Sequence, residues 1–244
     1  MLHGNPDTAD GWDEVIARLE DDYRCVAPDL PGFGESDAGD FAPDLERMAR
    51  FVAQVRHVAG VTEPMGLVVH DFGAWFGLAW AIRHPQEVKA IAILNARFFS
   101  DLPWHPWARL VRTPVLGEVA MAAMTRRGFR SHLRRRAPLL RREQIDAIYD
   151  RITPEAKQMA LRLYRAMDPG AFRGWEDPLR RLAATVPTIV LWGERDPYIP
   201  ARYAERFGAG TVKRYPECSH WPHREAPDRV AADLRAFLQA AERP

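Results

Sequence analysis

Three side chains, Asp71, Asp196 and His220, have the types needed for nucleophilic chemistry. One carboxylate can attack, an imidazole can move a proton, and a second carboxylate can orient the imidazole. Asp71 follows the apolar run 66–69 and precedes Gly73 and a stretch where Phe76, Leu78, Ala79 and Ile82 recur at helical spacing. Gly73 has no Cβ to obstruct a sharp strand-to-helix reversal. A strand, a tight turn and a helix with one reactive side chain at the apex is the layout of a nucleophile elbow. The plainer alternative is an Asp that only caps the helix. Asp196 comes just after the apolar run 187–192, and His220 sits in the loop after the weaker strand 211–215. Singly, Asp196 before Pro197 reads as a turn residue and His220 as a structural histidine. Jointly, all three stand past the carboxyl ends of predicted strands, which share one edge in a parallel sheet, the edge where ligands bind.

The elements that must position these residues follow in order. Trp12, Val15, Ile16 and Leu19 fall on one face of an amphipathic helix over 10–21, with Thr8 or Asp10 as N-cap. Residues 23–27 read as a short strand, and Pro43 opens a helix running through Leu45, Met48, Val52 and Val55 to Gly60. Residues 88–94 form another apolar strand ending at Asn95. This strand–helix alternation calls for a mostly parallel sheet covered on both faces. The rhythm stops at Arg97, and no strand is predicted before Ala184, only helical patterns separated by Pro and Gly. Within them the Arg-rich stretch 126–142 reads as a solvated helix face. The expected division is a core of 1–96 and 186–244 with a helical cap, or lid, of 97–185; such insertions exclude water and shape a substrate pocket. The last helix starts at Pro227 and buries Val230, Leu234, Phe237 and Leu238.

Composition narrows the function classes. The chain has 244 residues, 47% hydrophobic and 27% charged, which suits a soluble globular protein of one substantial domain with an insertion. A net charge of +1 argues against nucleic acid or an anionic membrane as partner. Separately, the expected partner is a small-molecule substrate and the expected state a monomer or homodimer. Lys89, Lys157 and Lys213 are the only lysines, a bias toward Arg that reads as codon usage. Cys25 and Cys218 form no metal-type pair, no run reaches the ~18 apolar residues of a membrane span, and no signal peptide opens the chain, so a cytoplasmic location is expected. The loop 28–36 lacks the third glycine of a dinucleotide fingerprint and the lysine of a P-loop. His220-x-x-His223 lacks a companion zinc ligand. The expectation is therefore no cofactor and no metal, with His70 as a support for the site and His223 at the surface.

The motifs His3-Gly4-Asn5-Pro6, Asp29-x-Pro-Gly-x-Gly-x-Ser36, Val69-His70-Asp71-Phe72-Gly73, Trp192-Gly193-x-x-Asp196 and His220-Trp221-Pro222 together resemble the α/β-hydrolase fold. The order nucleophile, acid, histidine is also that of α/β-hydrolases. More narrowly, the chain is similar to the aspartate-nucleophile branch of haloalkane dehalogenases and epoxide hydrolases, across nearly its whole length. The segment 104–118 is similar to dehalogenase lids. The resemblance implies Asp71 as nucleophile, His220 as base, Asp196 as its partner, and the backbone N–H groups of Asn5 and Phe72 as oxyanion hole. A carboxylate with an ordinary pKa near ~4 attacks saturated carbon without a helper base. His220 would then activate the water that hydrolyses the resulting ester. Attack by Asp on a carboxylic ester would give an anhydride, so ordinary esterase activity is disfavoured.

Two departures from that pattern matter. Dehalogenases hold halide with the residue after His-Gly, matched by Asn5, and a Trp after the nucleophile; here that position is Phe72, which has no side-chain donor. Trp104, Trp107 or Trp175 from the lid is the candidate substitute. Epoxide hydrolases use two lid tyrosines, for which Tyr164 and Tyr149 are the candidates, with helix packing the alternative for both. A β-lactone-processing relative shares the Asp elbow and stays open as a further reading. The His-Gly turn should follow a strand lying between the strand 23–27 and the elbow strand, yet only Met1 and Leu2 precede it. The expectation is that the amino-terminal strands are missing, that the chain is a shortened version of a longer one, and that neighbours ~4.8 Å apart per strand cannot bridge such a gap. A non-catalytic or defective relative with a truncated core is the alternative from another functional class.

Overall fold

A computed structural model describes residues 1–242. Its sheet contains four parallel strands, β1 (Met65–His70), β2 (Val88–Leu94), β3 (Thr188–Gly193) and β4 (Thr211–Tyr215), side by side in that order. Side chains alternate across the strands with a period of two. Val68, Ala92, Leu94, Ile189 and Leu191 pack on one face with Trp12, Val15, Val230 and Leu234, from the 3-10 turn Ala9–Trp12, helix α1 (Asp13–Ile16) and the carboxyl-terminal helix Pro227–Ala241. Leu67, Val69, Ile91, Ile93, Val190 and Trp192 face the other side, where α2 (Leu45–Val58) and α3 (Gly73–Arg83) lie. Each such fully buried aliphatic or aromatic side chain contributes about 1.5–3 kcal/mol relative to exposure.

Several elements differ from expectation. The helix over 10–21 is shorter, because beyond Ile16 the chain tightens into turns such as Arg18 N–H to Val15 O (3.1 Å) and Leu19 N–H to Ile16 O (2.8 Å). Trp12, Val15 and Leu19 are buried nonetheless. Helix α2 is capped by Asp44, whose side chain accepts from Arg47 N–H at 2.7 Å, so Pro43 lies outside it. Residues 23–27 form no strand. The physical reason is a missing partner: along the outer edge of β1 only Leu2 pairs, with Leu2 N–H to Val68 O at 2.8 Å and His70 N–H to Leu2 O at 3.0 Å. The Met1 ammonium donates to Val26 O at 2.6 Å. A groove of about 440 Å³ separates the rest of 23–28 from β1.

Between β2 and β3 the described residues form helices and turns only: α4 (Pro106–Arg112), α5 (Leu116–Ala122), α6 (Arg126–Arg136), α7 (Arg142–Asp150), α8 (Pro154–Ala166), the 3-10 turn Pro169–Phe172 and α9 (Glu176–Thr185). The Arg-rich α6 buries Leu133 and leaves most of its arginines exposed, the solvated face expected of it. A short helix, α10 (Pro222–Glu225), and α11 (Pro227–Ala241) close the chain. No described helix is long and apolar enough to cross a membrane.

Candidate active site

Register brings the chemistry together. His70 pairs with Leu94, Leu94 with Leu191, and Gly193 with Tyr215, so the loops after all four strands emerge at one sheet edge. Asp71 caps the reversal from β1 into α3 with φ of +46°, a left-handed conformation costly for a residue with a Cβ. That strain is held by close packing: a Cβ on Gly73 would strike the carbonyl oxygens of Leu2 and His3, and one on Gly4 would strike Asp71 itself. The two glycines thus let the His-Gly turn lie directly against the elbow.

Asp71 is 7% exposed, and its Oδ2 accepts from Asn5 N–H at 2.9 Å. Its Oδ1 stands 3.7 Å from His220 Nε2. His220 Nδ1 lies 2.7 Å from Asp196 Oδ2, so Nδ1–H donates to the carboxylate and Nε2 is directed at Asp71. Asp196 is itself held from three sides. Asn95 Nδ2 donates to Oδ2 at 2.8 Å, and Tyr198 and Ile199 N–H donate to Oδ1 at 2.7 and 3.0 Å. Asn95 also exchanges bonds with Gly193, accepting from its N–H at 2.8 Å and donating to its O at 3.1 Å.

Electrostatics follow from burial and these partners. Burial raises the Asp71 pKa above the ordinary carboxylate value, against the pull of the His220 charge and the backbone N–H groups of Asn5 and Phe72. The sequence-based expectation of an unperturbed carboxyl is therefore corrected upward. Burial would lower the His220 pKa, but the charge and hydrogen bond of Asp196 outweigh it and raise it. His70 is pushed well down by burial and by His223 and His220, so it is neutral. A carbonyl can only accept, so His70 Nε2–H donates to His220 O at 2.8 Å, which fixes the loop carrying the imidazole. His223, expected at the surface, is fully buried between Trp12 and His70, with ring centroids 4.5 Å from each. It reaches that place because Asp7 binds it and Arg224 together, with Asp7 Oδ2 3.4 Å from His223 Nε2 and 3.0 Å from Arg224 Nε.

A cavity of about 330 Å³ opens on Asp71 and His220. Asn5, Phe72, Trp104, Trp107 and Tyr164, all candidates in the sequence, line it. Tyr164 lies edge-on to Phe72 and Trp104, and its hydroxyl is 3.4 Å from Asn5 Nδ2. The remaining two candidates do not reach it. Tyr149 donates to Met124 O at 3.2 Å and packs against Phe129, and Trp175 lies under the Arg83 guanidinium at 4.3 Å. Lining residues that sequence reasoning missed are Arg97, His105, Tyr198 and, supporting Asp196, Asn95. Only Asn95 carried a signal, its position just past the end of a predicted strand. Among the described residues no group of three or more His, Cys, Asp or Glu could hold a metal ion.

A parallel sheet whose edge presents a carboxylate at the elbow, a second carboxylate and then an imidazole, in that chain order, is the arrangement of the α/β-hydrolase class. The chain belongs to the alpha/beta hydrolase family, whose model matches residues 1–233. It is 28% identical to the cis-3-alkyl-4-alkyloxetan-2-one decarboxylase of Xanthomonas campestris pv. campestris, over 98% of this chain and 87% of that protein. It is 26% identical to epoxide hydrolase 3 of Xenopus tropicalis (98% and 70% covered) and 27% identical to haloalkane dehalogenase 2 of Mycobacterium tuberculosis (96% and 85%). The relatives thus place it among the hydrolase-type enzymes of this fold.

Proposed function

We propose that the protein is a hydrolase acting on a small, largely apolar substrate through a covalent ester on Asp71. The observation carrying this reading is the Asp71 carboxylate held by Asn5 N–H at 2.9 Å and faced at 3.7 Å by an imidazole that Asp196 orients. In the first step an Asp71 oxygen attacks the electrophilic carbon, the new C–O bond forms, and the leaving group departs with the electron pair. No proton has to move first, because the attacking group is already an anion. In the second step a water between His220 and the ester loses its proton to Nε2 and attacks the ester carbonyl. The acyl C–O bond then breaks, the departing alkoxide takes the proton back from Nε2 as it becomes the alcohol, and Asp71 is left as a carboxyl that ionises again. The backbone N–H groups of Asn5 and Phe72 stabilise the oxyanion, each worth ~3 kcal/mol in comparable sites. The helices between β2 and β3 act as the cap that excludes water and supplies the apolar wall.

Halide displacement is the leading version. Asn5 lines the cavity and its Nδ2, now 3.4 Å from the Tyr164 hydroxyl, would turn to halide as one donor. The buried Trp104 Nε1, which has no acceptor, would supply the second in place of the missing Trp at position 72. Epoxide opening is the second version, favoured by Tyr164: burial and Asp71 raise its pKa, keeping the hydroxyl protonated as a donor to an epoxide oxygen. The relative that decarboxylates oxetanones keeps a β-lactone substrate as the third version.

The test is a panel of 1-bromoalkanes, terminal alkyl epoxides and a cis-dialkyl oxetan-2-one, read by halide release, diol formation and alkene formation. A single-turnover reaction in water labelled with heavy oxygen should place the label on Asp71 and leave the first-formed alcohol unlabelled. Label appearing directly in that alcohol would overturn the ester mechanism, and silence from folded protein across this panel and across haloalkanoates alike would overturn the hydrolase reading.

A further inference from the structure

Unlike Lys157, a half-buried cation that also lines the cavity, Arg97 is fully buried there, and its charge meets no carboxylate among the described residues. It is 3% exposed, follows β2 by three residues, and lines the same cavity as Asp71. Its guanidinium stacks on Trp104, 3.7 Å from the ring centroid, and Nη2 donates to Leu102 O. Its Nε is buried with no acceptor, and the side-chain hydrogen bond the guanidinium makes among the described residues is to a backbone carbonyl and not to a carboxylate. The other deeply buried arginine, Arg224, shows what an ordinary solution looks like: it holds Asp7 by two nitrogens. A buried guanidinium normally has such a partner, because removing it from water is costly. Burial pulls the Arg97 pKa down to about 10, and Asp71 is the charge that most opposes this.

We infer that Arg97 is the receptor for a carboxylate on the substrate, and that the preferred substrates are alkanoic acids bearing the electrophilic carbon next to the carboxylate. This rests on Asp71 being the nucleophile, and it sharpens the substrate class of that site. The apolar tail would run along Trp107, Met121, Met124 and Phe129, which wall the cavity beyond Trp104. Guanidinium and carboxylate match as donor fork and acceptor pair. Arg97 has the further task of offsetting the repulsion between two carboxylates, that of the substrate and that of Asp71, as the new C–O bond forms and halide leaves. A neutral haloalkane would leave the guanidinium as unpaired as it is without substrate.

The experiment compares hexanoate with hexanamide, which match in size and differ in charge, as ligands measured by calorimetry with the wild-type protein, Arg97→Met and Asp71→Asn. Hexanoate should bind the wild type at least tenfold more tightly than hexanamide. Arg97→Met should lose that preference, and Asp71→Asn should keep or enlarge it, because one repelling charge is gone. A merely structural Arg97 would weaken both ligands alike. Equal binding, or a preference for the amide by the wild type, overturns the inference without recourse to a variant that may be unstable. Turnover of 1-bromohexane and 2-bromohexanoate separates the two levels. An ester on Asp71 formed without carboxylate preference refutes only the role of Arg97; carboxylate preference with no turnover of either refutes only the reaction.

Discussion

Replacing His220 by Ala should divide the reaction at its midpoint. Attack by Asp71 uses an anion already in place and needs no imidazole, so the alkyl ester should still form. Hydrolysis of that ester does need it: Nε2 stands 3.7 Å from Asp71 Oδ1, too far for a direct hydrogen bond and suited to a water held between them. Removing a positioned general base typically costs 10²–10⁴-fold, or about 3–5 kcal/mol in the second barrier. The ester should therefore accumulate to nearly one per chain while steady turnover falls by about three orders of magnitude. The variant also removes the His220 charge that draws the Asp71 pKa down, so Asp71 should titrate higher still, and the assay belongs at about pH 8 to keep it ionised. Intact-protein mass spectrometry after mixing with a bromoalkane reads the adduct, and peptide mapping assigns it. Turnover within tenfold of wild type, or an adduct on any residue other than Asp71, would refute the reasoning.

Two further outcomes follow from the charged groups. Hydrolysis needs His220 neutral, and its pKa is raised above 6.5 by Asp196, so the acid limb of steady turnover should have its midpoint above 6.5 and move down in Asp196→Asn; a wild-type midpoint below 6.5 contradicts the assignment. Burial would raise the Asp7 pKa, but Arg224 and His223 hold it well below 3.8, so its stabilisation is present above about pH 4 and is lost as pH falls through the folded-state value. Asp7→Asn, which leaves Arg224 buried without its counter-charge, should cost about 3 kcal/mol at neutral pH by urea unfolding. The difference from wild type should shrink at about pH 3, and a gap independent of pH would show that the pair is not linked to folding in this way.

The amino-acid sequence by itself determined the parts whose cause is local. Continuous apolar runs gave β1 to β3 and a weaker one gave β4, helical spacing gave α2, α3 and α11, and the absence of strand pattern between Arg97 and Ala184 is matched by helices and turns. The small residues around Asp71 specified the sharp reversal, since only glycine fits against the Leu2 and His3 carbonyls. Tertiary structure decided whatever depends on a distant partner. Residues 23–27 have strand character but no neighbouring edge, so their backbone groups find other partners. His223 has the look of a surface residue until Asp7, 216 positions away, draws it inside. Sheet register, which no single segment encodes, places Asn95 against Gly193 and Asp196 and sets Arg97 and Tyr198 in the cavity while leaving Tyr149 and Trp175 outside it. A backbone conformation is chosen by neighbours along the chain, whereas the charge a buried side chain meets is chosen by packing across it.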